Sequence, residues 1–285
     1  MKILITGANG QLAQEFQRLL GIFQHEMTAL DKKTLDITDP ESTKKVLSQY
    51  NPDIVLNCAA YNFVDRAEED FDTAYKVNAQ GVRNLALACK RNNALLVHYS
   101  SDYVFDGKKE DFYTEEDETN PINNYGKTKL LGENFLREDY EKFLLFRVSW
   151  VFGEGKQNFL YKLLEWAKKN RVLRVVYDQI SIPTYTRDIV NLTMFAVNKG
   201  LRGVYHLTNT GYATRYEVAR YFLERLGMDN QILPVNSDYF PSPAKRPFFS
   251  AMSNRKLAND LNVEIPDWKI GIESYVETVF EKEEI

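Results

Sequence analysis

Cysteine is the scarcest chemistry in this 285-residue chain: only Cys58 and Cys89 occur, and they form no Cys-x-x-Cys pair. Two lone thiols in apolar surroundings read as reduced residues of an intracellular protein and exclude a disulfide scaffold. Histidine is nearly as rare. His25, His98 and His206 stand far apart with no His-x-x-x-His pair, His98 reads as a core residue, and no metal is expected. No Gly-x-Ser-x-Gly elbow and no Gly-x-x-x-x-Gly-Lys-Ser/Thr loop is present, which disfavours an α/β-hydrolase and a P-loop nucleotidase. No apolar run approaches the ~18 residues of a membrane span, and the apolar stretch within 1–10 is too short for a signal peptide. A cytoplasmic protein without a membrane partner is expected. A basic excess is also missing: 36 Lys and Arg stand against 40 Asp and Glu, a net charge of −4. A non-specific nucleic-acid binder would show the opposite balance.

What is present is an ordinary globular composition, 44% hydrophobic and 27% charged, which excludes wholesale disorder. The length fits one large domain or two modest ones at roughly 100–200 residues each. The first half alternates regularly. Lys2–Thr6 is an apolar run ending in glycine, and 11–20 carries Leu12, Phe16, Leu19 and Leu20 at helical spacing. Residues 27–30 are apolar again. Asp39 and Pro40 then supply an N-cap and a first-turn proline for a helix to Tyr50. The run 54–60 is a continuous apolar stretch interrupted only by Asn57, as a strand buried on both faces requires. Helical spacing over 74–91, a strand over 94–100, a helix over 123–136 and a strand over 143–151 continue the pattern. Strands alternating with helices predict an α/β fold with a parallel sheet. After residue 150 the alternation loosens: 157–169, 187–198 and 216–226 read as helices, 172–176 and 203–208 as strands. The segment 239–247 holds three of the nine prolines and reads as an irregular surface loop.

The turn after the first strand carries small residues where a dinucleotide site needs them. Gly7 permits a tight turn, and Gly10 lets the backbone approach a pyrophosphate seated at the positive helix N-terminus. Ala13 takes the third small position, which serves close helix–strand packing. Asp31 closes the second predicted strand about 20 residues on, where a carboxylate can accept from an adenosine ribose hydroxyl. Lys32 and Lys33 follow it and suit a 2′-phosphate instead, so NADPH and NADH both stay open as cofactor.

Tyr125 and Lys129 lie four apart on a predicted helix and project from one face. A phenol is a poor acid near neutrality, and a nearby ammonium lowers its pKa toward working range. Of seventeen tyrosines this is the only one with lysine four residues later. Spacing alone decides nothing, but Ser101 follows the predicted strand 94–100, at the strand end where open α/β sheets bind ligands. Its hydroxyl can bond a carbonyl oxygen while the tyrosine delivers a proton.

These residues resemble the extended short-chain dehydrogenase/reductase family. The likeness runs almost the full chain through 7–12, Leu35-Asp36-Ile37, 57–65 (NCAAYNFVD), 99–107 (YSSDYVFDG), 125–133 (YGKTKLLGE), 147–152 (RVSWVF), Asp178-Gln179, Pro183-Thr184 and 243–247 (PAKRP). The resemblance implies a Rossmann-type doubly wound parallel sheet with a smaller interleaved α/β substrate-binding domain. Residues 1–152 would form the dinucleotide domain, with return segments near 180–208 and 245–262. Residues 153–179, 209–244 and 263–285 would mainly form the sugar-nucleotide domain. Ser101, Tyr125 and Lys129 would be catalytic. Gly7, Gly10, Gln11, Leu12, Asp31, Asp36, Ile37, Ala60, Tyr61, Tyr125 and Lys129 would meet NADPH or NADH.

Ser101, Asp102, Tyr103 and Trp150 would line the sugar site, the indole stacking on a deoxysugar ring, with Arg246 on the diphosphate. The implied reaction is hydride transfer to the C4 ketone of dTDP-4-dehydro-β-L-rhamnose. Another nucleotide-sugar ketoreductase or epimerase, or a non-catalytic regulator, is the alternative. Asp102-Tyr103 after the serine, rather than Asp-Glu, favours reduction over dehydration. Three positions depart from the family pattern: Ala13 replaces its third glycine, Ser181 stands where many members have glycine, and Arg187 stands where metal-linked dimers carry glutamate. A homodimer is therefore expected without magnesium, although Glu15 fits one position of that metal site.

Overall fold

Residues Ile54–Asn57 are buried at all four positions and Leu95–Ser101 at all seven. Strands covered on both faces need continuous rather than alternating apolar runs, and here helices supply both covers. The structure, a computed structural model, describes residues 1–22 and 26–283, so His25 lies outside the described residues. The chain alternates through β1 (Lys2–Thr6), α1 (Gln11–Ile22), β2 (Glu26–Leu30), α2 (Pro40–Tyr50) and β3 (Ile54–Asn57). Short helices α3 (Arg66–Glu69) and α4 (Phe71–Tyr75) lead through a π turn at Lys76–Gln80 into α5 (Gly81–Asn92). Next come β4 (Leu95–Ser101), α6 (Asn124–Asp139) and β5 (Phe143–Val148). The second half runs β6 (Val151–Phe152), α7 (Phe159–Ala167), β7 (Val172–Val176), β8 (Ile180–Ser181), β9 (Thr184–Tyr185) and α8 (Thr186–Asn198). It ends with β10 (Gly203–His206), β11 (Ala213–Thr214), α9 (Arg215–Arg225), β12 (Gln231–Val235), α10 (Arg255–Leu261) and α11 (Trp268–Glu283).

Six strands form one parallel sheet in the order β2-β1-β3-β4-β5-β10. One face packs on α1, α8 and α10 through Phe16, Leu20, Ile189 and Leu257. The other packs on α2, α5 and α6 through Leu47, Leu85, Cys89 and Leu136. The fold is α/β, Rossmann-type and doubly wound. The chain leaves β1 for β2, then returns to the other side of β1 to make β3. The carboxyl ends of β1 and β3 therefore diverge into a crevice, the usual ligand position in such sheets. A third apolar cluster gathers α7, α9 and α11 around Phe152, Phe222 and Trp268, with the small pairs β7–β12, β8–β11 and β6–β9 beside it. Among the described residues no helix is long and apolar enough to cross a membrane.

Local sequence sets the boundaries that matter. Asp39 accepts from the amides of Glu41 and Ser42, Pro40 opens α2, and Asn51 ends it at φ +44°. Asn123 caps α6 by accepting from Gly126 N at 2.7 Å, fixing where Tyr125 enters the helix. The single helix expected over 74–91 is broken by the π turn. There Asn78 faces both backbone polar atoms of Tyr61, and its carbonyl meets α6 where a Cβ on Gly132 would collide with it. Such bulges recur beside functional sites. His98 is a buried core residue on β4, its Nδ1 3.0 Å from Asn57 Nδ2.

Candidate active site

The turn after β1 has no room for a side chain. Gly7 sits at φ +67°, and a Cβ there would lie 2.8 Å from the backbone N and Cα of Ala59, which follows β3. The turn thus packs against the end of β3, and Gly10 closes it by donating to Gly7 O at 2.8 Å. Gly10, Gln11 and Leu12 line one wall of a cleft of about 300 Å³, with Ala60 across from them. The Gln11 Nε2 is buried with no hydrogen-bond partner, a polar atom facing a place where a ligand atom can accept. Of the other candidate cofactor residues, Asp31, Asp36, Ile37 and Tyr61 stand outside the cleft lining. Asp31 accepts from Thr34 and from the Lys33 amide, and its second oxygen lies 3.5 Å from Asn9 Nδ2. Those bonds, led by Thr34, hold its carboxyl below the usual range. Asp36 accepts from Thr38 through one oxygen. The Ile37 side chain belongs to the core against α5, and its carbonyl accepts from Asn84 at 2.9 Å, so at most its N–H can face a ligand.

The same cleft takes in Ser101 from the end of β4 and Tyr125 and Lys129 from α6. All three are buried. The Lys129 Nζ donates to the Tyr99 carbonyl at 2.6 Å, and burial lowers its pKa to about 8 against the pull of Glu133. The expected electrostatic help from Lys129 to Tyr125 is therefore absent in this geometry. Burial instead pushes the Tyr125 phenol up, and a hydrogen bond with Ser101 pulls it back in part. A phenol held above its ordinary value is protonated at neutrality and is a proton donor in waiting. Its oxygen lies 3.5 Å from Asn62 Oδ1, on the open side of the cleft. Tyr103 packs edge-on against the ring with centroids 5.8 Å apart, which fixes the phenol's direction.

Asp102 organises the floor. Burial raises its carboxyl, and three hydroxyls oppose that: Ser250 at 2.7 Å, Ser101 at 3.0 Å and Ser181 at 3.0 Å. Ser181, one of the departures seen in the sequence, therefore ties β8 to the end of β4. Trp150 stands at φ +40°, a left-handed backbone that costs a non-glycine residue roughly 1–3 kcal/mol. The guanidinium of Arg215 covers one face of its indole at 3.9 Å, so only the other face is open to a sugar. Arg246 does not reach the cleft wall as expected. It grips Asp65 through both nitrogens at 2.7 and 3.1 Å and also bonds Ser242 and Ala244 O. It fastens the 239–247 loop to the segment after β3. Glu15 is likewise engaged, by Arg18 at 2.6 Å and Arg187 at 3.7 Å.

A sheet crevice, a glycine turn and a Ser–Tyr–Lys trio thus meet in one cleft. The family model described as the RmlD substrate binding domain matches residues 1–280. The chain belongs to that family. It is 37% identical over 276 residues to the spore coat polysaccharide biosynthesis protein SpsK of Bacillus subtilis, covering 97% of each chain. It is 38% identical over 290 residues to the dTDP-4-dehydrorhamnose reductase of Burkholderia thailandensis, covering 95% of this chain and 97% of that one. The crystal structure of dTDP-4-dehydrorhamnose reductase from Bacillus anthracis in complex with NADP superposes with a TM-score of 0.95. Identity there is 36%, covering 98% of this chain and 100% of that one.

Within this RmlD-family chain, several cleft residues were given no role from the sequence, although Asn57 and Ser100 fall inside the landmark stretches 57–65 and 99–107. Asn57, Ser100, Gln157 and Asn158 line the cleft, and Ser100 Oγ is buried without a partner. Asn158 also caps α7 and reaches Gln11 Oε1 at 3.5 Å, joining the two walls. Asn78 positions Tyr61 and Thr128 together. Each is a common polar type whose role no local spacing gives, and only the topology brings them together.

Proposed function

We propose that the protein reduces the C4 ketone of dTDP-4-dehydro-β-L-rhamnose to give dTDP-L-rhamnose, using NADPH or NADH. The convergence of Ser101, Tyr125 and Lys129 on the cleft beside the Gly7–Gly10 turn carries this reading. Its support includes the Burkholderia and B. anthracis reductases, the latter's complex with NADP, and the polysaccharide role named for SpsK. The nicotinamide supplies the hydride to the sugar carbon. The chain's residues do the rest. The Gly7–Gly10 turn, Gln11 and the residues after β3 would hold the dinucleotide, with Gln11 Nε2 gaining an acceptor. Lys129 would turn from Tyr99 O to the ribose hydroxyls. Ser101 would bond the ketone oxygen, and Tyr125 would give that oxygen its proton, recovering one from solvent past Asn62. Asp102 keeps Ser101 in place. The intact trio in an open cleft weighs against a purely regulatory protein.

In this reading residues 1–152 carry the dinucleotide, while the later segments, apart from the returns near 180–208 and 245–262, carry the sugar nucleotide. The active form would be a homodimer, checked by sedimentation. The test of the chemistry is Tyr125→Phe, which removes the proton and little else. Turnover of NADPH with the keto sugar nucleotide should fall by at least ~10²-fold. Near-normal turnover would overturn the assignment.

A further inference from the structure

Beside the cleft that holds the trio, and sharing Trp150, Val151, Gln157 and Asn158 with it, lies a second cavity of about 320 Å³. Its lining has two cations, Arg215 and Lys162, and no aspartate or glutamate. That imbalance is unusual for this chain, whose other arginines near the site are already matched. Arg246 is clamped on Asp65, Arg187 lies by Glu15, and Arg147 is buried against Glu133 at 2.8 Å. Arg215 has no ion pair or hydrogen bond to a described residue. It is held by aromatic faces instead, with its guanidinium carbon 3.9 Å from the Trp150 ring centre and 4.9 Å from that of Phe159. Stacking fixes the guanidinium plane and leaves its N–H groups free at the edge, the geometry that suits bidentate phosphate recognition. Two helices also begin at this cavity, α7 after the Asn158 cap and α9 at Arg215 itself, and their amide ends add favourable potential for an anion.

We propose that Arg215, seconded by Lys162, recognises the diphosphate of the nucleotide sugar and is a specificity-determining residue of this enzyme. The inference rests on the ketoreductase function above, and it gives the leading contact to Arg215 because Arg246, whose charge Arg215 also feels, is already bonded to Asp65. With the sugar carbonyl at Ser101 and Tyr125, a substrate running past Trp150 brings its diphosphate into this second cavity. Tyr103 and Asp102 favour the Arg215 charge from the floor of the first cleft and Arg246 opposes it, so the two ends of the path are close. Desolvation opposes the bare guanidinium charge at this position, a cost that an anionic ligand would offset.

The test compares Arg215→Ala, Arg215→Lys and Arg246→Ala with the unaltered protein, first by direct titration with dTDP and then in turnover. Arg215→Ala should weaken dTDP binding and raise the KM for the keto sugar nucleotide by roughly 10–100-fold, the loss of a charge-assisted hydrogen bond. The KM for NADPH should stay within about twofold, because the cofactor wall does not include Arg215. Arg215→Lys should recover part of the loss, and thymidine, which lacks phosphate, should bind all variants alike. Unchanged dTDP affinity in Arg215→Ala, or no dTDP binding by the unaltered protein, would overturn the proposal. Arg246→Ala matching the loss seen in Arg215→Ala would overturn it as well. Tight dTDP binding that needs Arg215 in a protein that does not reduce the keto sugar would uphold this site and sink only the proposed reaction.

Discussion

Lys129 gives the sharpest check on how this cleft works. In the free protein its ammonium is buried, and its pKa falls from 10.5 to about 8. The charged form therefore costs roughly 3 kcal/mol more here than in water. Between about pH 8 and the ordinary lysine value the unfolded chain keeps this proton and the folded chain gives it up. The unfolded state then binds more protons, so this group makes the fold more stable as pH rises through that window, and its penalty is fully present below pH 8. Catalysis should move the other way. If the charged amine is what grips the cofactor ribose, kcat/KM for NADPH is flat below pH 8 and falls about tenfold per pH unit above it, since this ratio reports the free enzyme. The assay is NADPH oxidation with the cofactor varied at saturating keto sugar, from pH 6 to 10. Tyr125 does not produce that limb, because burial holds its phenol above the ordinary value. Lys129→Arg keeps its charge throughout the range and should abolish the limb. A profile flat to pH 9.5, or a limb unchanged in Lys129→Arg, would refute the reasoning.

Two further outcomes follow from packing. Gly7→Ala places a Cβ 2.8 Å from Ala59 in a left-handed backbone, a conformation that alone costs an L-residue roughly 1–2 kcal/mol. Circular dichroism should show an intact fold, while fluorescence titration shows NADPH binding weakened more than ~10-fold; unchanged affinity would remove the turn from the cofactor site. Glu133→Gln strips the buried Arg147 of its counter-charge, which should cost about 3–5 kcal/mol in denaturant unfolding. The same change removes a carboxylate that favours charged Lys129, so the kinetic limb should move below pH 8. A loss under ~1 kcal/mol with an unmoved limb would show that the pair neither braces α6 nor tunes the amine.

The parts legible in the sequence are those governed by local rules. Continuous apolar runs marked β3 and β4 because burial on two faces leaves no alternation to see. Asp39-Pro40 marked α2 because a cap and a first-turn proline act within four residues. Gly7 could be read because only glycine fits a turn pressed against the next strand. The break at Lys76–Gln80 was invisible, since it answers to Asn78 meeting Tyr61, Thr128 and Gly132 from distant parts of the chain. The trio was legible as residue types but not as electrostatics. Four-residue spacing puts Tyr125 and Lys129 on one face, yet the carbonyl of Tyr99, from β4, decides where the ammonium points. The Asp65 partner of Arg246 was not foreseen and Arg215 was not singled out at all, for one reason: charge partners are set by tertiary contacts. Asp65 lies 181 residues from Arg246, and nothing in the sequence announces that they pair.

Pairing also explains how the two cavities divide the work. A cation with a carboxylate beside it is already at rest, and recruiting it for a ligand means breaking a bidentate bond. Arg246 is in that state, and it serves by holding the 239–247 loop against Asp65. Groups without such partners are the ones poised to act. Gln11 Nε2 and Ser100 Oγ are buried and unpaired on the wall of the first cleft, and Arg215, though Asp102 favours its charge, has no direct ion pair among the described residues of the second. Each unpaired polar atom costs the free protein roughly 1–3 kcal/mol, which a ligand with matching groups recovers on binding. Amide and hydroxyl groups suit the neutral and weakly charged parts of a dinucleotide and a sugar, while a stacked guanidinium suits a diphosphate. The two cavities meet at Trp150, whose backbone is left-handed and whose indole has one face on Arg215; in the proposed reading the other face takes the sugar that joins them.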